Sequence, residues 1–323
     1  MYKKSILITL ITVILNSNYL FAAGNMPDQS EWEQIRKEDV AKILNEWKSS
    51  EWIREVNTTG WEDGVYIAPD RGELYFTYIN VDLLKLPKVV ITGPNRDLKG
   101  VGIPPCGQFP RPDIFYSTQK NKNNWIVPIP HPVTISYPVG GFVLANENKA
   151  YFHMEKDDGL RTEIYFAEKV DDVWQKPQKV FALSSKYKDD DPHIMPNDEE
   201  IFFWSDRPAL LSGNNIYYSK KTSGKWHDPV LLPAPVNSDS NDMQPFVSAD
   251  NLYFTSDREG VPKIFKSVFR DNKWSKPVVV VSSKCGVGEP TLTEDGKYLY
   301  FLQVFRSSGG GFNSDIMCAE RKG

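Results

Sequence analysis

The sequence predicts an all-β protein, a five-bladed β-propeller of four-stranded antiparallel blades. Three markers recurring in phase predict it. An isoleucine followed by an aromatic residue, or once by methionine, stands at Ile114, Ile164, Ile216, Ile264 and Ile316, at spacings of 50, 52, 48 and 52 residues. A Trp-x-x-Pro segment recurs at Trp125, Trp174, Trp226 and Trp274, at spacings of 49, 52 and 48. A paired-aromatic strand recurs at Tyr75-Phe76, Tyr151-Phe152, Phe202-Phe203, Tyr253-Phe254 and Tyr300-Phe301. A repeat of about 50 residues holding four short period-two segments is the signature of propeller blades. Each Trp of the second marker is expected to pack between blades.

Composition agrees with many short strands. Aromatic residues make up 13% of the 323 residues, which favours strands. The 21 Gly and 23 Pro are spread along the chain, as many turns require.

Residues 1–23 read as a secretory signal peptide. Lys3 and Lys4 precede an apolar run, Ser5 to Leu15, too short to span a bilayer, and Ala22 and Ala23 offer a cleavage site. No Cys follows that run, and no later stretch is apolar enough for a stable membrane span. The expected address is periplasmic or secreted. Formal net charge is −4, and no basic patch stands out, which argues against a nucleic-acid partner. Export permits a disulfide, and Cys106 and Cys285 both fall in loops, though no spacing motif connects them. Cys318 falls in a strand and reads as a buried thiol.

Residues 24–50 read as one amphipathic helix and a linker. Ser30 and Glu33 fit a capping box, and Trp32, Ile35, Ile43, Leu44 and Trp47 fall at helical spacing. The propeller then occupies residues 51–323. Its fifth unit ends at Ala319 before any Trp-bearing fourth strand, while a spare Trp52 segment, residues 51–56, precedes the first unit. That segment is expected to complete the last blade and close the ring.

The best copy of the repeat joins Val236-Asn237-Ser238 to Gln244-Pro245, Ser248-Ala249-Asp250, Ser256-Asp257-Arg258 and Trp274-Ser275-Lys276-Pro277. These copies resemble the WD40-like propeller repeats of TolB-like periplasmic proteins and of propellers beside outer-membrane OmpA-type domains. The resemblance covers roughly residues 50–320. It weakens in blade two, where Gly140-Gly141 replaces an acid-Pro pair, and blade one carries a long insertion. It implies an extracytoplasmic propeller and no single activity, since a fold does not dictate function.

The loop leading into each innermost strand and the loop between second and third strands emerge on one face. The first of these places Asp63, Gly140, Asp191, Gln244 and Glu289 near the axis, one per blade. The second places Arg207 and Arg258 there, each in a Ser-Asp-Arg run. The insertion puts 37 residues between Phe76 and Ile114, against nine to fourteen in the other blades, and brings Arg111 to the same face. Asp63, Asp191, His193, Gln244, Glu289, Arg207, Arg258 and Arg111 are therefore the candidate ligand-binding residues.

The leading expectation is a non-catalytic binding or scaffold propeller that engages a protein or glycan ligand on the loop face. The alternative is a carbohydrate-active enzyme resembling five-bladed arabinanases and xylosidases, with Asp63, Asp191 and Glu289 as its carboxylates. Recurrence of an acid before Pro argues instead for a structural cap. No metal and no cofactor are expected. The four histidines lie 22 or more residues apart, and Asp189-Asp190-Asp191 reads as a solvated loop and not a calcium site. His193 alone is expected near the axis.

Overall fold

A computed structural model describes residues 29–57, 61–68, 72–79, 91–92, 97–98, 113–121, 124–134, 139–155, 161–306 and 312–323. The leader read in residues 1–23, Arg111 and Cys106 lie outside them. The chain forms a five-bladed β-propeller with a single N-terminal helix among the described residues. No helix among these residues is long and apolar enough to cross a membrane.

Each blade is an antiparallel meander. Blade one uses Trp61–Ile67, Glu73–Ile79 and Asp113–Asn121. Blade two uses Val139–Asn146, Lys149–Glu155 and Thr162–Val170. Blade three uses Asp189–Ile194, Glu200–Ser205 and Asn215–Thr222. Blade four uses Asp242–Ser248, Asn251–Ser256 and Lys263–Arg270. Blade five uses Val287–Leu292, Tyr298–Arg306 and Phe312–Glu320.

The fourth strand of blades one to four is split into two short pieces, as at Lys225–Trp226 and Val230–Leu231. The cause is the Pro of the Trp-x-x-Pro marker. Pro229 has no N–H to donate, so it interrupts the ladder between the pieces.

The ring closes as the marker count predicts. Glu51 and Trp52 pair with Cys318 and Met317 and supply the fourth strand of blade five. Asn57 reinforces the join. Its side chain accepts from Ile316 N at 2.6 Å and donates to Ile316 O at 2.9 Å, standing in for a ladder partner. Asn237 does the same to Ile216, at 2.8 Å in both directions. The repeated Val-Asn pairs, Val56-Asn57 and Val236-Asn237, thus mark the same position in two blades.

The recurring Phe and Ile build the core between blades. Phe76, Phe152, Phe203, Phe254 and Phe301 have no exposed surface, and neither do the five marker isoleucines. Two of the Trp markers pack across blade boundaries onto the preceding blade. Trp125 meets Tyr300 edge-on with centroids 6.1 Å apart, and Trp226 meets Tyr151 at 6.2 Å. Trp125 is buried, whereas Trp174, Trp226 and Trp274 are only half-buried. Cys318 is likewise half-buried, and Cys285 and Cys318 are free thiols.

The helix is shorter than its periodicity suggests. It spans Gln29–Glu38 and includes Trp32 and Ile35 but not Ile43, Leu44 or Trp47. Ile43 and Leu44 follow blade four instead, and Trp47 bridges to Arg321 beyond the last strand of blade five. Lys42–Ile43 pairs with Ser282 and Val281, and Leu44 N donates to Val280 O at 3.0 Å. The open edge of blade four offers these backbone groups partners and wins over helix continuation. Arg36, on the helix, forms a buried two-pronged ion pair with Asp315 of blade five, at 2.6 and 3.1 Å.

Candidate functional site: the polar axis

Every inner strand carries a β-bulge near its start. The ladder skips from Asp63 to Tyr66, Gly140 to Val143, Asp190 to His193, Met243 to Phe246 and Gly288 to Thr291. The first bulged residue is left-handed in all five blades: Gly64 at φ +57°, Gly141 at +60°, Asp191 at +42°, Gln244 at +54° and Glu289 at +56°. Gly adopts this conformation freely, whereas Gln and Glu are held there at a cost of about 1 kcal/mol or more.

This register corrects the sequence alignment. Asp63 and Gly140 are not the counterparts of Asp191, Gln244 and Glu289; Gly64 and Gly141 are. Asp63 matches Asp190, one step earlier on its strand. The Pro after the bulged residue anchors the alignment in blades three to five, and its absence from blades one and two leaves their register unmarked.

Five of the eight candidate binding residues meet at the axis, bonded mainly to one another and to the protein. Glu289 accepts from Gln244 Nε2 at 2.7 Å and from Val65 N at 2.9 Å. Burial pushes its carboxyl well above the usual range, and the neighbouring Asp63 charge pushes further, so Glu289 carries the proton of the hydrogen bond it shares with Asp63. Asp191 Oδ2 accepts from Trp204 Nε1 at 2.8 Å. Burial and the adjacent Asp190 charge push the Asp191 carboxyl up to about 7. His193 lies against Phe246, and its Nε2 is 3.2 Å from Val247 O. Burial pushes its imidazole down to about 4, so it is neutral at pH 7.

Two residues were missed. His153, on the second strand of blade two, reaches the axis, and its Nδ1 pairs with Asp190 Oδ1. Burial opposes the imidazolium, but the charge and hydrogen bond of Asp190 together with the Asp191 and Asp63 charges outweigh it and raise His153. In return His153 holds Asp190 below the usual range against the effect of burial. Sequence spacing could not find this pair, because the two residues sit on neighbouring blades. Nor is Asp189-Asp190-Asp191 a solvated loop. Asp189 and Asp190 are buried, because they open the inner strand and are covered by Arg207 and His153 respectively.

Arg207 and Arg258 do not join the axis. Arg207 is bonded to Asp189, to Leu183 O at 2.9 Å and to Ser205 Oγ at 3.0 Å. Arg258 repeats the pattern on Asp242, Pro235 O and Ser256 Oγ. Both pin the segment leading into their own blade's inner strand, which is a structural use of the Ser-Asp-Arg run.

The axial cavity leaves about 40 Å³, lined among others by Asp191, His193, Gln244 and Glu289. That holds a few waters, against the roughly 300–1,000 Å³ of small-molecule sites. A larger groove of about 490 Å³ lies between blades one and two. Tyr75, Tyr116, His131 and Trp174 line it together with Lys169 and Asp172.

No family model matches this sequence, and no curated protein is similar to it at the sequence level. Among solved structures, a glycoside hydrolase superposes with a TM-score of 0.53 at 11% identity, covering 92% of this chain and 97% of that one. BT0996, solved in an RGII complex, gives 0.54 at 10% identity, covering 92% and 96%. TolB from Acinetobacter baumannii gives 0.38 at 12% identity, covering 95% and 79%. At such identities the first two likenesses show a shared propeller fold and leave activity open.

Proposed function

We propose that this chain is a non-catalytic binding propeller of the periplasm or cell exterior, engaging a protein or glycan on the face that carries the insertion. The observation behind this reading is the closed state of the axis. A glycosidase needs two carboxyl groups facing a sugar-sized space. Here Glu289 is spent on Gln244, Val65 and Asp63, Asp191 is held by Trp204, and the cavity between them is about 40 Å³. The insertion leaves and rejoins blade one at Ile79 and Asp113, the only blade with so long a connection there. Departure from fivefold regularity is where a repeat protein places recognition.

The aromatic groove favours a second reading, a glycan stacked on Tyr116 and Trp174. Affinity electrophoresis through gels of bacterial and plant polysaccharides, with capture of envelope proteins in parallel, separates the readings. Shortening residues 80–112 to about ten should abolish retention or capture, while Glu289→Gln leaves it intact. Loss with Trp174→Ala alone would move the site to the groove. Hydrolysis of p-nitrophenyl glycosides that disappears in Glu289→Gln would overturn the binding reading in favour of the enzyme.

A further inference from the structure

The departure of blade two from the repeat has a local purpose. Blades three to five place Asp191, Gln244 and Glu289 at the bulge, but blade two has Gly140-Gly141. A Cβ on Gly140 would overlap His153 Nε2. A Cβ on Gly141 would lie 2.9 Å from Asp191 Oδ1 and 3.0 Å from His153 Nδ1. The two glycines keep clear the space in which His153 approaches the aspartates of blade three.

We propose that His153, Asp190 and Asp191 form a binding site for one divalent first-row transition-metal ion, of the zinc or manganese class, at the axis between blades two and three. One donor atom from each residue lies within 4.8 Å of the other two. The outward oxygens are already held. Trp204 Nε1 donates to Asp191 Oδ2 at 2.8 Å, and Thr162 Oγ1 donates to Asp190 Oδ2 at 3.2 Å. Oδ1 of each aspartate is turned towards His153 Nδ1, with Asp191 N donating to Asp190 Oδ1 at 3.1 Å, the arrangement by which outer hydrogen bonds orient metal ligands.

Two buried polar atoms near His153 have no hydrogen-bond partner. Thr77, only 5% exposed, has a hydroxyl with no hydrogen-bond partner, 3.4 Å from where a Gly140 Cβ would stand. Its ladder neighbour Asp63 buries Oδ1 without a hydrogen bond. An imidazole nitrogen with two carboxylates suits zinc or manganese, whereas calcium prefers an all-oxygen shell. The ion takes the place of the Nδ1 proton between His153 and Asp190. In so narrow a channel its role is to tie blade two to blade three.

The test is calorimetric titration of the full chain, after dialysis against EDTA, with Zn2+, Mn2+ and Ca2+ separately. The expected result is one Zn2+ or Mn2+ per chain, a higher Tm with the ion, and no comparable uptake of Ca2+. Affinity should fall at least about 100-fold in His153→Gln and about 10–100-fold in Trp204→Phe, which removes only an orienting hydrogen bond. His227→Gln, at an exposed histidine between the two outer pieces of blade three, should bind like the parent. Should His153→Gln fail to fold, the Co2+-loaded parent decides. One imidazole with paramagnetically shifted proton resonances supports the site, and none overturns it. Absence of uptake by the parent, or equal affinity in Trp204→Phe and parent, also overturns the proposal.

Discussion

Replacing Arg36 with Ala should unlock the N-terminal helix from the ring. Arg36 holds Asp315 through two hydrogen bonds of 2.6 and 3.1 Å, and the side chains are 6% and 0% exposed. Its guanidinium also lies 4.3 Å over the ring of Trp52, the residue that closes blade five. Removing one partner of a buried pair strands the other charge, at a cost of about 3–5 kcal/mol. For a chain of this length that corresponds to a fall in Tm of about 6–10 °C. Thermal melts followed by circular dichroism read it directly. The pH dependence gives a second readout. Burial raises the Asp315 carboxyl above its ordinary value, and Arg36 is the main group opposing that rise. Without Arg36 the folded chain holds a proton on Asp315 at pH values where the unfolded chain has released it. Stability of the variant therefore rises, relative to the parent, as pH falls from neutral towards the ordinary carboxylate range. Arg36→Ala combined with Asp315→Asn should recover part of the loss at pH 7 for the same reason. A fall in Tm under about 2 °C, or a deficit that widens with acid, would refute the reasoning.

The other predictions follow from individual contacts. Trp125→Ala should cost about 3–5 kcal/mol and Trp226→Ala about half of that, because the first Trp is buried and the second half-buried; equal chemical-denaturation midpoints would contradict the ranking. Gly141→Ala should lower Tm more than Gly224→Ala, since both are left-handed but only the former meets side chains, Asp191 and His153, within 3.0 Å. Burial pushes the Cys318 thiol up to about 12, so intact protein should resist iodoacetamide at pH 8 there and react only once unfolded, as mass spectrometry of the labelled peptide would reveal.

The ring was legible because its markers are packing positions. Phe76 and its four counterparts, with Ile114 and its four, fill the same fully buried slots in every blade, so the repeat had to preserve them. Closure was legible for a related reason: a blade lacking its outer strand and a spare Trp52 segment are both visible in the chain. The end of the helix was not. Ile43 and Leu44 continue the helical spacing of Trp32 and Ile35, and only the unpaired edge of blade four, remote in sequence, pulls them into a strand.

The axis was half legible, and the reason lies in backbone conformation. A bulge requires a left-handed residue, and sequence can satisfy it with Gly or with a polar residue before Pro. Blades one and two take the first solution and blades three to five the second. Aligning acids with acids therefore displaced Asp63 by one residue, from the Asp190 level to the Asp191 level. The displacement matters chemically. At the Asp190 level Asp63 stands opposite Thr77 in the ladder and Asp190 meets His153 from the adjoining blade. At the Asp191 level a side chain faces its neighbours around the ring, as Glu289 faces Gln244. Two polar layers are thus stacked where the sequence suggested one. Carboxylates of the two layers, with His153, then sit close enough to shift one another's titration, which is a balance set by the whole ring and not by any single blade.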